Sequence, residues 1–343
     1  MLFFIFSCII AFAGTVSPPC PLQIIPPKVV VGYGDSIAAN CSCNYSLDQL
    51  ENMGWESPNG AVSPTEGVTF LLLKANATEW TMEPKCYTNL LDGDQCLKRL
   101  TVTIYKMADN VSVSPQSQMG PMVEGKTYRM QCDIANVAPA RHLSVYWHKR
   151  NKIVYTESFN KELNQYPVNL SSVFNLTAQR DDNAAQIWCE AKLNFGSSGP
   201  NLRSMKSRSH GVIVLYPPTF TQPEKETVTL KAGGKIDLNC TARGNPMPSC
   251  SWHPSDLILE NNEKQPILTV TREGTYNCTV SNTQGTNTKY FIVTSAPRDH
   301  TVLAGLLGGF GALAVVLLIV GYFTLKPDGT FSFCNGQPTS SVI

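Results

Sequence analysis

Residues Ser36-Ile37-Ala38-Ala39-Asn40-Cys41 alternate toward a cysteine with a period of two. Trp55 follows that cysteine by 14 residues and Cys86 follows it by 45. Such alternation marks a strand with one face buried. The same text returns twice. Tyr128-Arg129-Met130-Gln131-Cys132 is followed by Trp147, 15 on, and Cys189, 57 on. Lys235-Ile236-Asp237-Leu238-Asn239-Cys240 is followed by Trp252, 12 on, and Cys278, 38 on.

One such triple could be accident. Three in series at domain-sized intervals point to immunoglobulin-type sandwiches, in which one disulfide joins the sheets and a tryptophan packs on it. The expected pairs are Cys41–Cys86, Cys132–Cys189 and Cys240–Cys278. Tyr276, two residues before Cys278, stands at the tyrosine-corner position; Ile187 and Pro84 stand there in the other two repeats. The expected fold class is all-β: three tandem immunoglobulin-like β-sandwich domains followed by one transmembrane α-helix. The domains are read as 14–106, 107–216 and 217–295. Linkers are expected at Lys106–Asn110 and at Tyr216-Pro217-Pro218, where the double proline argues for a stiff joint.

The flanks suggest a topology. Residues 2–13 are apolar and end in Ala11-Phe12-Ala13, so 1–13 reads as a signal peptide. Thr301–Leu325 is an uncharged apolar run, read as a membrane span after a connector at 296–300 and before a cytoplasmic tail at 326–343. Lys326 agrees with positive-inside orientation. The expected location is the plasma membrane, single-pass type I, N-terminus extracellular. Lys+Arg 27 against Asp+Glu 26 gives no electrostatic case for nucleic acid. Eight Asn-x-Ser/Thr sequons, at Asn40, Asn44, Asn76, Asn110, Asn169, Asn175, Asn239 and Asn277, fit a glycosylated external surface. Asn239 and Asn277 precede inward-facing cysteines, so their side chains are expected to face out. In an oxidising compartment the cysteines read as disulfides rather than metal ligands.

Chemistry for catalysis is missing from the text, and an enzyme is the least favoured class. The five histidines are scattered, and neither a Gly-rich phosphate loop nor a nucleophile elbow occurs. Arg141, Lys149, Arg150 and Lys152 read as a basic cluster, either a solvated face or a glycosaminoglycan site.

Within the first repeat lies Gly54-Trp55-Glu56-Ser57-Pro58, followed later by Cys86-Tyr87-Thr88-Asn89. The second repeat carries Gly120-Pro-Met-Val-Glu124-Gly125-Lys-Thr-Tyr128 through Cys132, then Asn136-Val137-Ala138-Pro139. On these segments the chain resembles the intercellular adhesion molecule family and, more distantly, the vascular cell adhesion molecule. The likeness covers the first two expected domains; the third looks like a generic immunoglobulin module. The resemblance implies a leukocyte-type integrin as partner in trans. Glu56 would complete the coordination of the integrin's magnesium, with Trp55 and Ser57 beside it in the partner-binding segment. The chain itself would need no cofactor, because the magnesium comes from the integrin. Independently of family, neighbours in a strand face opposite sides, so an inward Trp55 sets Glu56 outward.

The cysteines depart from the family's pattern, which has two close pairs in the first domain. Here Cys41 and Cys43 are two apart, while Cys86 and Cys96 are ten apart. Cys20–Cys96 with Cys43 unpaired is favoured; Cys43–Cys96 is the alternative. Cys250 is either a buried free thiol or an intermolecular bridge. The uncharged span and a tail without tyrosine argue against an immune signalling receptor. Ser341-Val342-Ile343 fits a PDZ ligand, implying a PDZ or cytoskeletal adaptor, and Cys334 is a palmitoylation candidate. Gly305 and Gly309 would permit self-association of the span. The leading expectation is an integrin-binding cell adhesion glycoprotein. The alternatives are homophilic or immunoglobulin-to-immunoglobulin recognition and, third, an immune co-receptor.

Overall fold

The computed structural model describes residues 20–116, 120–197, 199–254 and 265–296, and a helix over 301–324. The expected signal peptide and the tail, with Lys326, Cys334 and Ser341-Val342-Ile343, lie outside the described residues. The chain divides into two compact units. The first runs through Tyr216 and takes in Gly244–Pro246; the second begins at Pro217. The expected domains 14–106 and 107–216 therefore share one unit, within which each has its own core.

The first sandwich opens with β1 (Leu22–Ile25), β2 (Lys28–Gly32) and β3 (Ser36–Cys43). It continues with β4 (Leu50–Glu56), β5 (Val62–Thr65) and β6 (Phe70–Asn76), and closes with β7 (Lys85–Leu90), β8 (Gln95–Arg99) and β9 (Thr101–Tyr105). One sheet has the order β1-β3-β6 and the facing one β5-β4-β7-β8; β2 and β9 pair in parallel.

The second sandwich repeats the plan. Its strands are β10 (Asn110–Pro115), β11 (Met122–Val123), β12 (Thr127–Val137), β13 (Leu143–Lys149) and β14 (Lys152–Ser158). Then come β15 (Val168–Thr177), β16 (Gln186–Leu193), β17 (Met205–Lys206), β18 (His210–Gly211) and β19 (Val214–Phe220). The sheets are β10-β12-β15 and β14-β13-β16-β17, with β18 also on β16. Tyr216-Pro217-Pro218, expected as a linker, is strand inside β19. Its N-terminal part pairs in parallel with β11, through Val214 and Leu215, ahead of the two residues that lack an N–H.

In the second unit β20 (Lys225–Leu230), β21 (Ile236–Asn239), β22 (Ala242–Asn245) and β23 (Ser249–Pro254) precede β24 (Ile267–Val270), β25 (Gly274–Asn282) and β26 (Gly285–Ser295). Sheets β20-β26-β25-β23 and β21-β24 enclose a third core. The Tyr276 hydroxyl donates to the Arg272 carbonyl at 3.0 Å, closing a tyrosine corner.

Disulfides cross each core: Cys41–Cys86, Cys132–Cys189 and Cys240–Cys278, with Cα separations of 6.4, 6.3 and 6.3 Å. A fourth, Cys20–Cys96, ties the start of the described chain to β8. Cys43 and Cys250 carry free thiols, the first buried and the second half-buried. The three tryptophans solve one problem alike. Each ring is buried, and each indole N–H must find an acceptor there. Trp55 donates to the Leu71 carbonyl, Trp147 to the Ser172 hydroxyl and Trp252 to the Gln265 carbonyl, at 3.1, 2.9 and 2.8 Å.

The helix α1 (Thr301–Thr324) has 24 residues and no charged side chain. Its side chains are described only at 311–322 and 324. Counted over the described residues, no helix is long and apolar enough to cross a membrane.

Candidate functional site

Glu56 is the last residue of β4, and the strand beneath it is held from both sides. Trp55, 1% exposed, lies opposite Cys86 of the core disulfide. Gly54 takes the ring of Tyr87 directly over its backbone; a Cβ there would stand 2.3 Å from the Tyr87 hydroxyl, so a larger residue would push that ring aside. With its neighbours fixed, Glu56 faces out, its side chain 62% exposed.

The antiparallel register sets Glu56 opposite Lys85, and Lys85 opposite Arg99. The Lys85 ammonium stands 3.7 Å from the Glu56 carboxylate, and Arg99 stands 3.5 Å from Glu83. Both pairs are open to water, where such contacts contribute about 0–1 kcal/mol and yield to a stronger ligand. Ser57 turns away from this row: its hydroxyl donates to the Asn59 carbonyl at 3.3 Å and shapes the turn. Glu56, Ser57, Pro58, Ala61, Thr81, Glu83 and Lys85 line a shallow open depression. The sequence does not place Lys85; the register that sets Trp55 opposite Cys86, and with it Glu56 opposite residue 85, comes from the strand pairing. Among the described residues no group of three or more His, Cys, Asp or Glu is placed to hold a metal ion.

Sequon placement separates the two faces. Asn40 and Asn76 lie on β3 and β6, and Asn44 follows β3 directly; Asn110, Asn169 and Asn175 lie on β10 and β15. Five of the six lie on strands of the β1-β3-β6 and β10-β12-β15 sheets, and Asn44 adjoins β3. The sheets holding Glu56 and Trp147 carry none. In the second unit Asn239 is exposed, and Asn277, between buried Tyr276 and Cys278, faces out but is half-buried opposite His253.

Of the basic cluster, Lys149 and Lys152 lie opposite each other across the β13–β14 hairpin with Arg150 in its turn, and Arg141 stands apart. Arg141 sits in a short 3-10 turn before β13, and Lys149 at the far end of that strand, roughly 20 Å away at ~3.3 Å per residue. Lys149 is committed to Asp182 at 2.7 Å, and Arg150 reaches the Asn183 carbonyl.

On the sequon-free sheet of the second sandwich, His148 is buried and stacks on Trp188 at 3.6 Å, its Nε2 3.0 Å from Glu190. Ser204 donates to the other Glu190 oxygen, and Lys206 stands 4.9 Å from the Trp188 ring. Burial holds the imidazole pKa below its ordinary value; Glu190 opposes that shift and Lys206 adds to it. A histidine depressed on folding stabilises in full above its ordinary pKa of roughly 6.5, and that contribution is lost as pH falls through the lower folded value. Thermal stability of the second sandwich should therefore fall when pH is lowered below about 6, and His148→Gln should flatten the dependence. A pH series of hydrogen exchange on β13 and β16 checks this; unchanged protection in the native protein would refute it.

A family model described as an immunoglobulin domain matches residues 217–282. Cell adhesion molecule 3 of Rattus norvegicus is 26% identical over 231 residues, 61% of this chain and 55% of that protein. Intercellular adhesion molecule 1 of Bos taurus is 23% identical over 243 residues, 69% of this chain and 43% of that one. Over residues 217–282 the chain is similar to immunoglobulin domains. Both relatives are named as adhesion molecules, and the chain spans about half the length of the curated relatives it matches. A solved ICAM-5 ectodomain fragment overlays with a TM-score of 0.46 at 17% identity, over 80% of this chain and 76% of that one.

Proposed function

We propose that the chain is a cell-surface adhesion glycoprotein with three immunoglobulin-like domains, and that Glu56 donates a carboxylate oxygen to a magnesium ion held by an integrin on another cell. The observation that carries the reading is the exposed Glu56 carboxylate on a rigid, sequon-free sheet. Magnesium is a hard cation that takes carboxylate oxygen and leaves positions for incoming ligands. A carboxylate at the end of a pinned strand loses little conformational freedom on docking. Lys85 holds the carboxylate only from the side and in water, so the ion displaces it at little cost. The names of the relatives, adhesion molecules of two kinds, support the class.

In this reading α1 anchors the chain. At ~1.5 Å per residue its 24 residues reach about 36 Å, against a hydrocarbon core of roughly 30 Å. Facing arrays of copies on two membranes multiply a weak single contact by about 10²–10⁴. Adhesion of integrin-bearing leukocytes to the immobilised chain, compared between wild type and Glu56→Ala, tests the site; equal adhesion would end the metal-contact claim.

A second reading draws on the second sandwich. Its sequon-free sheet presents Trp188, Lys192 and Lys206, a surface suited to pairing with another immunoglobulin-type domain. Aggregation of beads coated with the chain alone, in the absence of any integrin, would favour that reading over the first.

A further inference from the structure

The sheet behind the Glu56 face has an apolar outer surface that the fold leaves open. Ile25, Leu72 and Phe70 are 56%, 48% and 63% exposed. The registers gather them around one residue. Asn40 stands opposite Ile25 on one side and Leu72 on the other, and Phe70, opposite Ser42, is its diagonal neighbour. Opposed side chains in an antiparallel sheet lie about 4.5–5.5 Å apart and diagonal ones about 7–8 Å. Asn40 is thus the centre of the patch, half-buried among these neighbours. β6 is the outermost strand of its sheet, so the patch runs to an edge. Apolar surface at a sheet edge invites pairing with another copy unless something covers it.

Asn40-Cys41-Ser42 is an acceptor sequon. We propose that an N-linked glycan on Asn40 is the cover, its first sugar rings lying across Leu72 and Phe70. In the transfer, Nδ2 of Asn40 bonds to C1 of an oligosaccharyl diphosphate lipid. The C1–O bond breaks, the diphosphate lipid leaves with the electron pair, and Nδ2 gives up one proton. A sugar ring has a C–H face that packs on aliphatic and aromatic side chains while its hydroxyls meet water. The neighbouring sequons lack this setting. Asn76 lies opposite Ser36 and accepts its hydroxyl at 3.1 Å, and Asn44 lies beyond the end of β3.

The test uses the full-length chain made in glycosylating animal cells. Peptide mass spectrometry, after enzymatic deglycosylation in heavy-oxygen water, should find Asn40 occupied. Asn40→Gln, and separately Ser42→Ala, which keeps the asparagine but destroys the sequon, should raise the chemically crosslinked oligomer fraction several-fold. Asn44→Gln and Asn76→Gln should not. Adding Phe70→Thr and Leu72→Thr to Ser42→Ala should return the fraction to the wild-type level. An unmodified Asn40 in wild type, or Ser42→Ala oligomers no more abundant than those of Asn44→Gln, would overturn the proposal. A glycan-free wild type that self-associates through this patch would identify the face as an interface between copies instead.

Discussion

Glu56→Ala is expected to reduce cation-dependent leukocyte adhesion to background while surface expression stays at the wild-type level. The two outcomes separate because Glu56 contributes almost nothing to the fold. Its side chain is 62% exposed and its single ion pair, with Lys85, is solvated, so its loss costs about 0–1 kcal/mol. As the proposed ligand of a hard cation, however, it has no substitute nearby. Glu83, the other carboxylate of the depression, faces Arg99 and sits off the end of β4. Glu56→Gln should fail nearly as fully as alanine, because a neutral amide keeps the shape but loses the charge. Lys85→Ala should leave adhesion intact, since the lysine only flanks the carboxylate. Surface staining with a conformation-sensitive antibody, run beside a static adhesion assay, checks all three; adhesion by Glu56→Ala at the wild-type level would remove Glu56 from the mechanism.

Trp147→Ala is expected to be the most destabilising single change in the second sandwich. The ring is fully buried, lies opposite Cys189 and contacts Phe174 at a centroid distance of 5.5 Å. Truncating a buried tryptophan costs about 3–5 kcal/mol. It also strips the buried Ser172 hydroxyl of its indole partner, which adds about 1–3 kcal/mol. Against a total stability of ~5–15 kcal/mol for a domain, the sandwich would be largely unfolded. Trp147→Phe, which keeps a ring and loses the N–H, should fall between. Hydrogen-exchange protection of β13 and β16 reads this region separately from the other cores, as a chain with several cores requires. Wild-type protection in Trp147→Ala would mean that the ring does not hold this core together.

Much of this arrangement was readable from spacing alone. A cysteine, a tryptophan and a second cysteine define three strands and the faces they turn inward, and an inward Trp55 sets Glu56 outward, whereas Lys85 beside it comes from the strand register. Arg141 falls outside the basic cluster for a geometric reason: Arg141 and Lys149 are near in number, but a seven-residue strand carries them to opposite ends. Tyr216-Pro217-Pro218 does mark a boundary, since the chain divides between Tyr216 and Pro217, but the segment is strand. Here the parallel ladder uses the residues just before it. The His148–Trp188–Glu190 network and the patch around Asn40 depend on which strands lie side by side, and the local alternation pattern does not specify that. Sequon segregation became visible only once each strand had been assigned to its sheet.

The central claim is that adhesion passes through one carboxylate and a partner-held ion. It is tested most directly by letting leukocytes adhere to the wild-type chain, chelating divalent cations, and then restoring magnesium. The account predicts prompt detachment on chelation and re-adhesion when magnesium returns. Adhesion that survives chelation would contradict it.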